Sequence, residues 1–81
     1  MPDRPPIPTE GRKPAWRAAC LAYREKRRAG LLEHEAYCAA GAALQEVSPE
    51  MTLKQANAEA TNAIAYASTY HSGWFWAGVG R

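Results

Sequence analysis

Alanine dominates the apolar part of this sequence and limits the kind of core that it can build. Of the 38 hydrophobic residues among 81, 17 are Ala, whereas Leu, Ile, Val and Phe together number 10. Three Trp and four Tyr must therefore supply most of the large apolar area, and burial of that area, at about 25 cal/mol per Å², decides whether the chain folds. We expect one small domain with a thin core of Ala and aromatic rings, which excludes a multidomain enzyme.

The first 13 residues predict an extended arm, because four prolines prevent a continuous helix there. The same stretch carries charges where a signal peptide needs an apolar segment. Cys20 and Cys38 form neither a disulfide framework nor a paired CxxC motif, so a reduced, cytoplasmic setting is expected. Residues 60–80 carry no charge, but polar side chains and three Gly interrupt them, which argues against a membrane span.

Two helical segments follow the arm. Pro14 suits the first turn of a helix, and helix-forming residues continue as far as Gly30, which predicts a helix over about 14–29. A second helix is predicted over about 32–47, and the short connection predicts an antiparallel hairpin. Gly41 lies among alanines in the second helix, where Gly costs about 1 kcal/mol relative to Ala, and this suggests close approach by another backbone.

A longer third helix is predicted over about 52–71. It has two candidate start signals, Ser48 before Pro49 and a capping box from Thr52 to Gln55, and the sequence does not choose between them. One face of this helix forms an Ala-rich seam that should pack against another helix; its members are Leu53, Ala56, Ala60, Ala63, Ile64, Ala67 and His71. The sequence thus predicts an all-α fold. It is a bundle of two or three helices in one domain over 14–81, with an α-hairpin, a longer third helix, a Pro-rich arm and an aromatic tail over 72–81.

Charge is segregated along the chain. Residues 12–28 contain seven basic residues and one acidic residue, for a balance of +6, whereas residues 31–60 contain five Glu and one Lys, for a balance of −4. The first helix carries a basic stripe that could engage phosphates or an acidic protein patch. The competing interpretation is a solvated or self-paired face in which Glu33 and Glu35 neutralise basic residues across the turn. The stripe consists of Arg17, Arg24 and Arg28, supported by Arg12, Lys13 and Arg27.

The tail supplies a second candidate partner surface. Trp74, Phe75 and Trp76 are too apolar to remain in water, and three consecutive side chains cannot all face one side. We expect Trp74 to pack on the domain and Phe75 and Trp76 to be candidates for contact with a partner.

A metal site and a catalytic site are both poorly supported. His34 and Cys38 have the spacing of two ligands on one helix, and Cys20 and His71 could complete a tetrahedral set, but no short-spaced second pair is present. A buried Cys is more often a small apolar residue. No nucleophile elbow, Gly-rich turn or cofactor fingerprint occurs. We therefore predict no metal, no cofactor and no enzymatic activity.

The leading functional hypothesis is a small helical interaction protein that occupies a surface on a larger protein or ribonucleoprotein complex. Its sharpest form is an inhibitor or accessory factor of a nucleic-acid-handling complex, and richness in Ala and Arg favours a bacterial or phage origin. Two alternatives stay open. One is direct binding of nucleic acid by the basic arm and first helix, and the other is an obligate homo-oligomer that packs through the Ala-rich seam.

Overall fold

The computed structural model describes residues 5–77, and over this range the fold is all-α, as predicted. A 3-10 turn over Glu10–Arg12 leads into the first helix. Three longer helices and one short helix follow, and their bounds are α1 Lys13–Arg28, α2 Glu33–Val47, α3 Leu53–Tyr70 and α4 Ser72–Phe75. The short helix α4 is an element that the sequence patterns did not predict. Residues 1–4 of the predicted arm and 78–81 of the predicted tail lie outside the described residues.

The turn between α1 and α2 depends on Gly30. Its φ of 88° lies in the left-handed region that favours glycine. The N–H of Gly30 donates to the carbonyl of Arg27 at 3.0 Å, and the N–H of Leu31 donates to the carbonyl of Lys26 at 3.1 Å. This is a Schellman ending, which satisfies the last carbonyls of α1 and turns the chain back, so that α1 packs most extensively against α2.

The second of the two candidate start signals begins α3. The hydroxyl of Thr52 accepts from the N–H of Gln55 at 3.1 Å, and the side-chain oxygen of Gln55 accepts from the N–H of Thr52 at 2.9 Å. This reciprocal pair is a capping box. Ser48 instead follows the end of α2 and is buried in the connection between α2 and α3.

Alanine and aromatic rings form the core, where the three long helices meet. Tyr23 stacks on Phe75, with ring centroids 5.4 Å apart, and meets Tyr37 edge-on at 5.1 Å. Edge-on and offset pairs of this kind add to the gain from apolar burial. The buried apolar residues are Ala15, Trp16, Ala19, Cys20, Tyr23, Ala36, Ala40, Leu44, Ala56, Ala60, Ala63, Ile64, Ala67 and Phe75.

The predicted close approach at Gly41 is present, and two other packing details differ from the expectations. A Cβ built at Gly41 would collide with the side-chain oxygen of Asn57 on α3 and would lie 3.8 Å from the Cα of Asn57, so both the side chain and the backbone of α3 come close. The ends of the Ala-rich seam are exposed: Leu53 is the first residue of α3, and His71 follows its last residue. Pro8, in the non-helical segment before the 3-10 turn, is buried.

Within residues 5–77, none of the helices combines the length and the apolar character that a membrane crossing requires.

Candidate functional site

The basic stripe of α1 lies against residues 72–77, which are called the C-terminal segment below. Arg24 donates from Nη1 to the carbonyl of Trp74 at 3.0 Å, and Arg28 donates from Nε to the carbonyl of Ala77 at 2.8 Å. The first carbonyl lies within the short helix α4 and also accepts from the N–H of Ala77 at 3.3 Å, and the second follows the end of that helix. Two of the three stripe residues therefore hold the C-terminal segment in place.

The indole of Trp74 organises the same face. The guanidinium carbon of Arg24 lies 4.5 Å from the ring centroid, and that of Arg17 lies 5.5 Å from it. Both distances are within the range of a cation–π interaction, which restrains the guanidinium without using its N–H donors on an acceptor. Arg17 is exposed. Among residues 5–77, no carboxylate lies within ion-pair distance of Arg17 or Arg24.

A groove of about 270 Å³ opens beside Arg17 and Trp74. Its walls come from α1, from the C-terminal half of α3 and from α4, and the buried Pro8 also lines it. Trp16 and Tyr66 meet edge-on in it with centroids 5.8 Å apart, and a hydrogen bond of 3.1 Å joins Oη of Tyr66 to Nε2 of His71. We call this the α1/α3/α4 groove; its lining is Pro8, Lys13, Trp16, Arg17, Cys20, Tyr66, Ala67, His71 and Trp74.

Arg12 and Lys13 each pair with a carboxylate of the same chain. Arg12 donates from Nε to Oε2 of Glu59 at 2.8 Å and from Nη1 to the hydroxyl of Ser48 at 2.9 Å. The hydrogen bond with Glu59 raises the pKa of the Arg12 guanidinium. Lys13 donates to Glu10 at 2.9 Å on the open surface, and this contact raises the pKa of Lys13 and lowers that of Glu10. Arg12 therefore has a structural role, whereas Lys13 can exchange its exposed contact with Glu10 for another carboxylate at little cost.

The expected pairs across the first turn do not form. Arg27 is half-buried and donates from Nη1 to the carbonyl of Leu31 at 3.3 Å, and its buried Nε has no hydrogen-bond partner among the described residues. The carboxylate of Glu35 accepts instead from the N–H of Leu32 at 3.3 Å at the start of α2. Within the described part of the chain, neither Glu33 nor Glu35 forms an ion pair with a residue of the basic stripe.

The two candidate tail residues lie in different environments. Phe75 is fully buried between Tyr23 and Trp76, so its side chain is unavailable to a partner in this fold and we leave it out of the proposed surface. The reason is that α4 turns the ring inward onto α1. Trp76 is 40% exposed while its ring contacts that of Phe75 edge-on at 4.7 Å. Trp74 is partly buried against the core.

The residues considered as metal ligands remain apart. Within the described range, no three His, Cys, Asp or Glu side chains come together in an arrangement that could hold an ion. Cys38 is exposed, whereas Cys20 is buried and its thiol donates to the carbonyl of Ala63 at 3.4 Å. Burial raises the pKa of the Cys20 thiol to about 11. The thiol that lines the groove is therefore protonated at neutral pH and is a poor nucleophile.

Sequence reasoning missed several residues that shape this face. Glu59 lies 47 positions from Arg12, and no local pattern connects the two residues. The proline pattern predicts only an arm at Pro8, although Pro8 lines the groove. Tyr66 carries the one usable signal, because Tyr66 and Tyr70 are four residues apart on α3 and their rings are in contact at 5.4 Å.

Comparison of the chain with protein-family models, with curated proteins and with solved structures finds no significant match.

Proposed function

We propose that this chain is a small, non-enzymatic docking protein that binds an acidic surface of a larger macromolecule. The binding surface is a basic–aromatic face formed by Lys13, Arg17, Arg24 and Trp74, which continues toward Arg28 and Trp76. The sharper form of the proposal is that the target belongs to a nucleic-acid-handling complex, for which the protein acts as an inhibitor or accessory factor.

One observation carries the proposal: Arg17 is exposed beside Trp74 and has no carboxylate partner among residues 5–77. A guanidinium has five donors that match a carboxylate or phosphate in two-point fashion. The Trp74 ring restrains this guanidinium before binding, which lowers the entropy that a partner contact costs. An exposed cation held in this way is suited to recognition of an anion.

The chemistry of the groove supports a binding role over a catalytic one. The candidate nucleophile in the groove is the Cys20 thiol, and burial raises its pKa to about 11. Among the described residues, no base lies within hydrogen-bond distance of its sulfur. His71, the other candidate catalytic group in the lining, is hydrogen-bonded to Tyr66.

The two alternative functions use the molecule differently. Direct nucleic-acid binding through the basic arm and first helix would share Lys13, Arg17 and Arg24 with this face, so the test below includes it as an outcome. An obligate homo-oligomer would need the Ala-rich seam, whose central residues Ala56, Ala60, Ala63 and Ala67 are buried within a single chain. A second copy would have to displace that packing, and for this reason we favour docking through the basic face.

The test compares two charge reversals that change the net charge equally. Arg17→Glu reverses the exposed cation of the basic–aromatic face, and Lys54→Glu reverses an exposed cation at the start of α3, where an acidic side chain suits the helix terminus. Tagged wild-type and variant chains are used for affinity capture from the source organism, with and without nuclease, followed by mass spectrometry. We expect the wild type and Lys54→Glu to retain the same macromolecule and Arg17→Glu to retain about tenfold less.

Equal capture by both variants, with helical circular dichroism unchanged, would contradict the proposal. Capture that disappears with nuclease and leaves no protein would favour direct nucleic-acid binding.

A further inference from the structure

We infer that the α1/α3/α4 groove receives a single aromatic side chain from an acidic segment of a protein partner. The inference rests on the proposed function, since the acidic segment would be held by the basic–aromatic face beside the groove. It adds a specificity element: the groove selects a ring, and the adjacent cations select the acidic residues that flank it.

The size and walls of the groove fit one ring. Its volume of about 270 Å³ lies just below the range of about 300–1,000 Å³ that is typical of sites for whole small-molecule ligands. Trp16, Tyr66 and Trp74 provide aromatic walls, and Ala67 leaves space where a larger residue would fill the groove. Aromatic walls favour another ring in an edge-on or offset arrangement.

One wall of the groove is already a ring from an extended segment, that of Pro8. Pro8 belongs to a non-helical stretch, it is buried, and it lines the groove together with Trp16, Tyr66 and Trp74. An acidic partner segment would extend this arrangement by placing its own ring next to Pro8.

Charge complementarity indicates that the residues next to the inserted ring are acidic. Arg17 and Lys13 both line the groove. Arg17 has no carboxylate partner among residues 5–77, and Lys13 has only its exposed pair with Glu10. A carboxylate next to the inserted ring could therefore reach Arg17 directly and could replace Glu10 on Lys13 at little cost.

A peptide fits these features better than a nucleic acid does. The chain carries a net charge of only +2, and its 31–60 region has five Glu against one Lys. Tight binding to a polyanion depends on several phosphate contacts and on a strongly positive surface. One groove that accommodates one ring, beside two cations, matches a short acidic segment with a single aromatic residue.

The test uses two synthetic nine-residue peptides with blocked ends. One has a central phenylalanine flanked by four glutamates on each side, and the other has alanine in place of the phenylalanine. Affinities are measured with the full chain by isothermal titration calorimetry, and the indole N–H signals of Trp16 and Trp74 are followed by NMR. We expect the phenylalanine peptide to bind at least about tenfold more tightly and to shift both indole signals.

Two variants locate the site. Arg17→Gln should weaken both peptides about three- to tenfold and preserve the ratio between them, whereas Lys54→Gln, the matched control, should change neither. Trp74→Leu should abolish the preference for phenylalanine. If thermal unfolding shows that Trp74→Leu is not folded, the comparison of the two peptides with the wild type and with Arg17→Gln decides the question alone.

Equal affinity of the wild-type chain for the two peptides, or no binding of either, would overturn the inference. Tighter binding of a single-stranded oligothymidylate than of the phenylalanine peptide would overturn it in favour of nucleic acid. These results are separable from the fate of the proposed function, because loss of partner capture by Arg17→Glu would stand even if the groove showed no preference for a ring.

Discussion

Glu59 connects three parts of the chain through one carboxylate oxygen. Its Oε2 accepts from Nε of Arg12 at 2.8 Å and from Nε1 of Trp16 at 2.6 Å. Arg12 continues the network to Ser48 in the connection between α2 and α3. The side chain of Glu59 is only 20% exposed, and hydrogen bonds to a charged group are stronger in such surroundings than in water.

We predict that Glu59→Ala lowers the free energy of unfolding by about 2 kcal/mol. The substitution leaves the indole N–H of Trp16 and the guanidinium of Arg12 without their acceptor, and loss of a hydrogen bond to a charged group typically costs about 1.5–3 kcal/mol. Urea unfolding followed by tryptophan fluorescence measures the change. Glu46→Ala is the matched control, because Glu46 is exposed and has no side-chain hydrogen bond within the described chain. Equal effects of the two substitutions would show that the network contributes nothing specific.

The short helix α4 depends on tertiary packing, because a helix of four residues has no stability of its own in water. Phe75 is completely buried and stacks on Tyr23 at an interplanar angle of 17°. Arg24 and Arg28 of α1 bind the carbonyls of this segment. The packing of one ring and the two guanidinium contacts therefore place Trp74 beside Arg17 and complete the groove.

We predict that Phe75→Ala destabilises the fold by about 3–5 kcal/mol, the usual cost of removing a fully buried phenylalanine. Leu53→Ala should cost less than about 0.5 kcal/mol, because Leu53 is 59% exposed although the sequence pattern places it on the buried seam. Chemical denaturation of both variants provides the comparison. Similar losses for the two would mean that α4 is not held by the core.

Local signals account for the elements that the sequence predicted well. Gly30 and the capping box of Thr52 act within a few residues, so their effect is readable in one short window. Helix α4 was missed because four residues are too few to show a period, and its formation depends on a ring of α1 that is distant in sequence. Only the part of the site that depends on a local pattern could be predicted from the sequence. The basic stripe is a pattern within one helix, whereas the groove exists only once α1, α3 and α4 meet.

Because aliphatic side chains are scarce, the interior of the molecule contains groups that can ionise at high pH. Burial raises the pKa of the Cys20 thiol to about 11 from a usual value of 9.0. It also raises the pKa values of the Tyr23 and Tyr37 hydroxyls, with a further contribution from the nearby charge of Glu33. All three groups are neutral at pH 7, and each loses its proton more readily in the unfolded chain than in the folded one.

We therefore predict that the protein loses stability as the pH rises above about 9. An acid whose pKa is higher in the folded state leaves the unfolded chain with fewer bound protons at alkaline pH, so the free energy of unfolding falls as the pH increases. For Cys20 alone, the shift from 9.0 to about 11 corresponds to a loss of about 1.4 kcal/mol between pH 7 and pH 10. The two tyrosines add to this loss above pH 10.

Urea unfolding at pH 7, 9, 10 and 10.5 measures this effect, with Cys20→Ala and Tyr23→Phe as the informative variants. Each should show a smaller loss between pH 7 and pH 10.5 than the wild type, whatever its stability at pH 7, since the comparison is made within each variant. Cys38→Ala is the control for removal of a thiol that lies on the surface. A wild-type stability that stays constant up to pH 10.5 would show that water reaches these groups as easily in the folded molecule as in the unfolded chain. An interior of alanine and hydroxyl-bearing rings that excludes water must instead resist ionisation, and the alkaline loss of stability reports how well it does so.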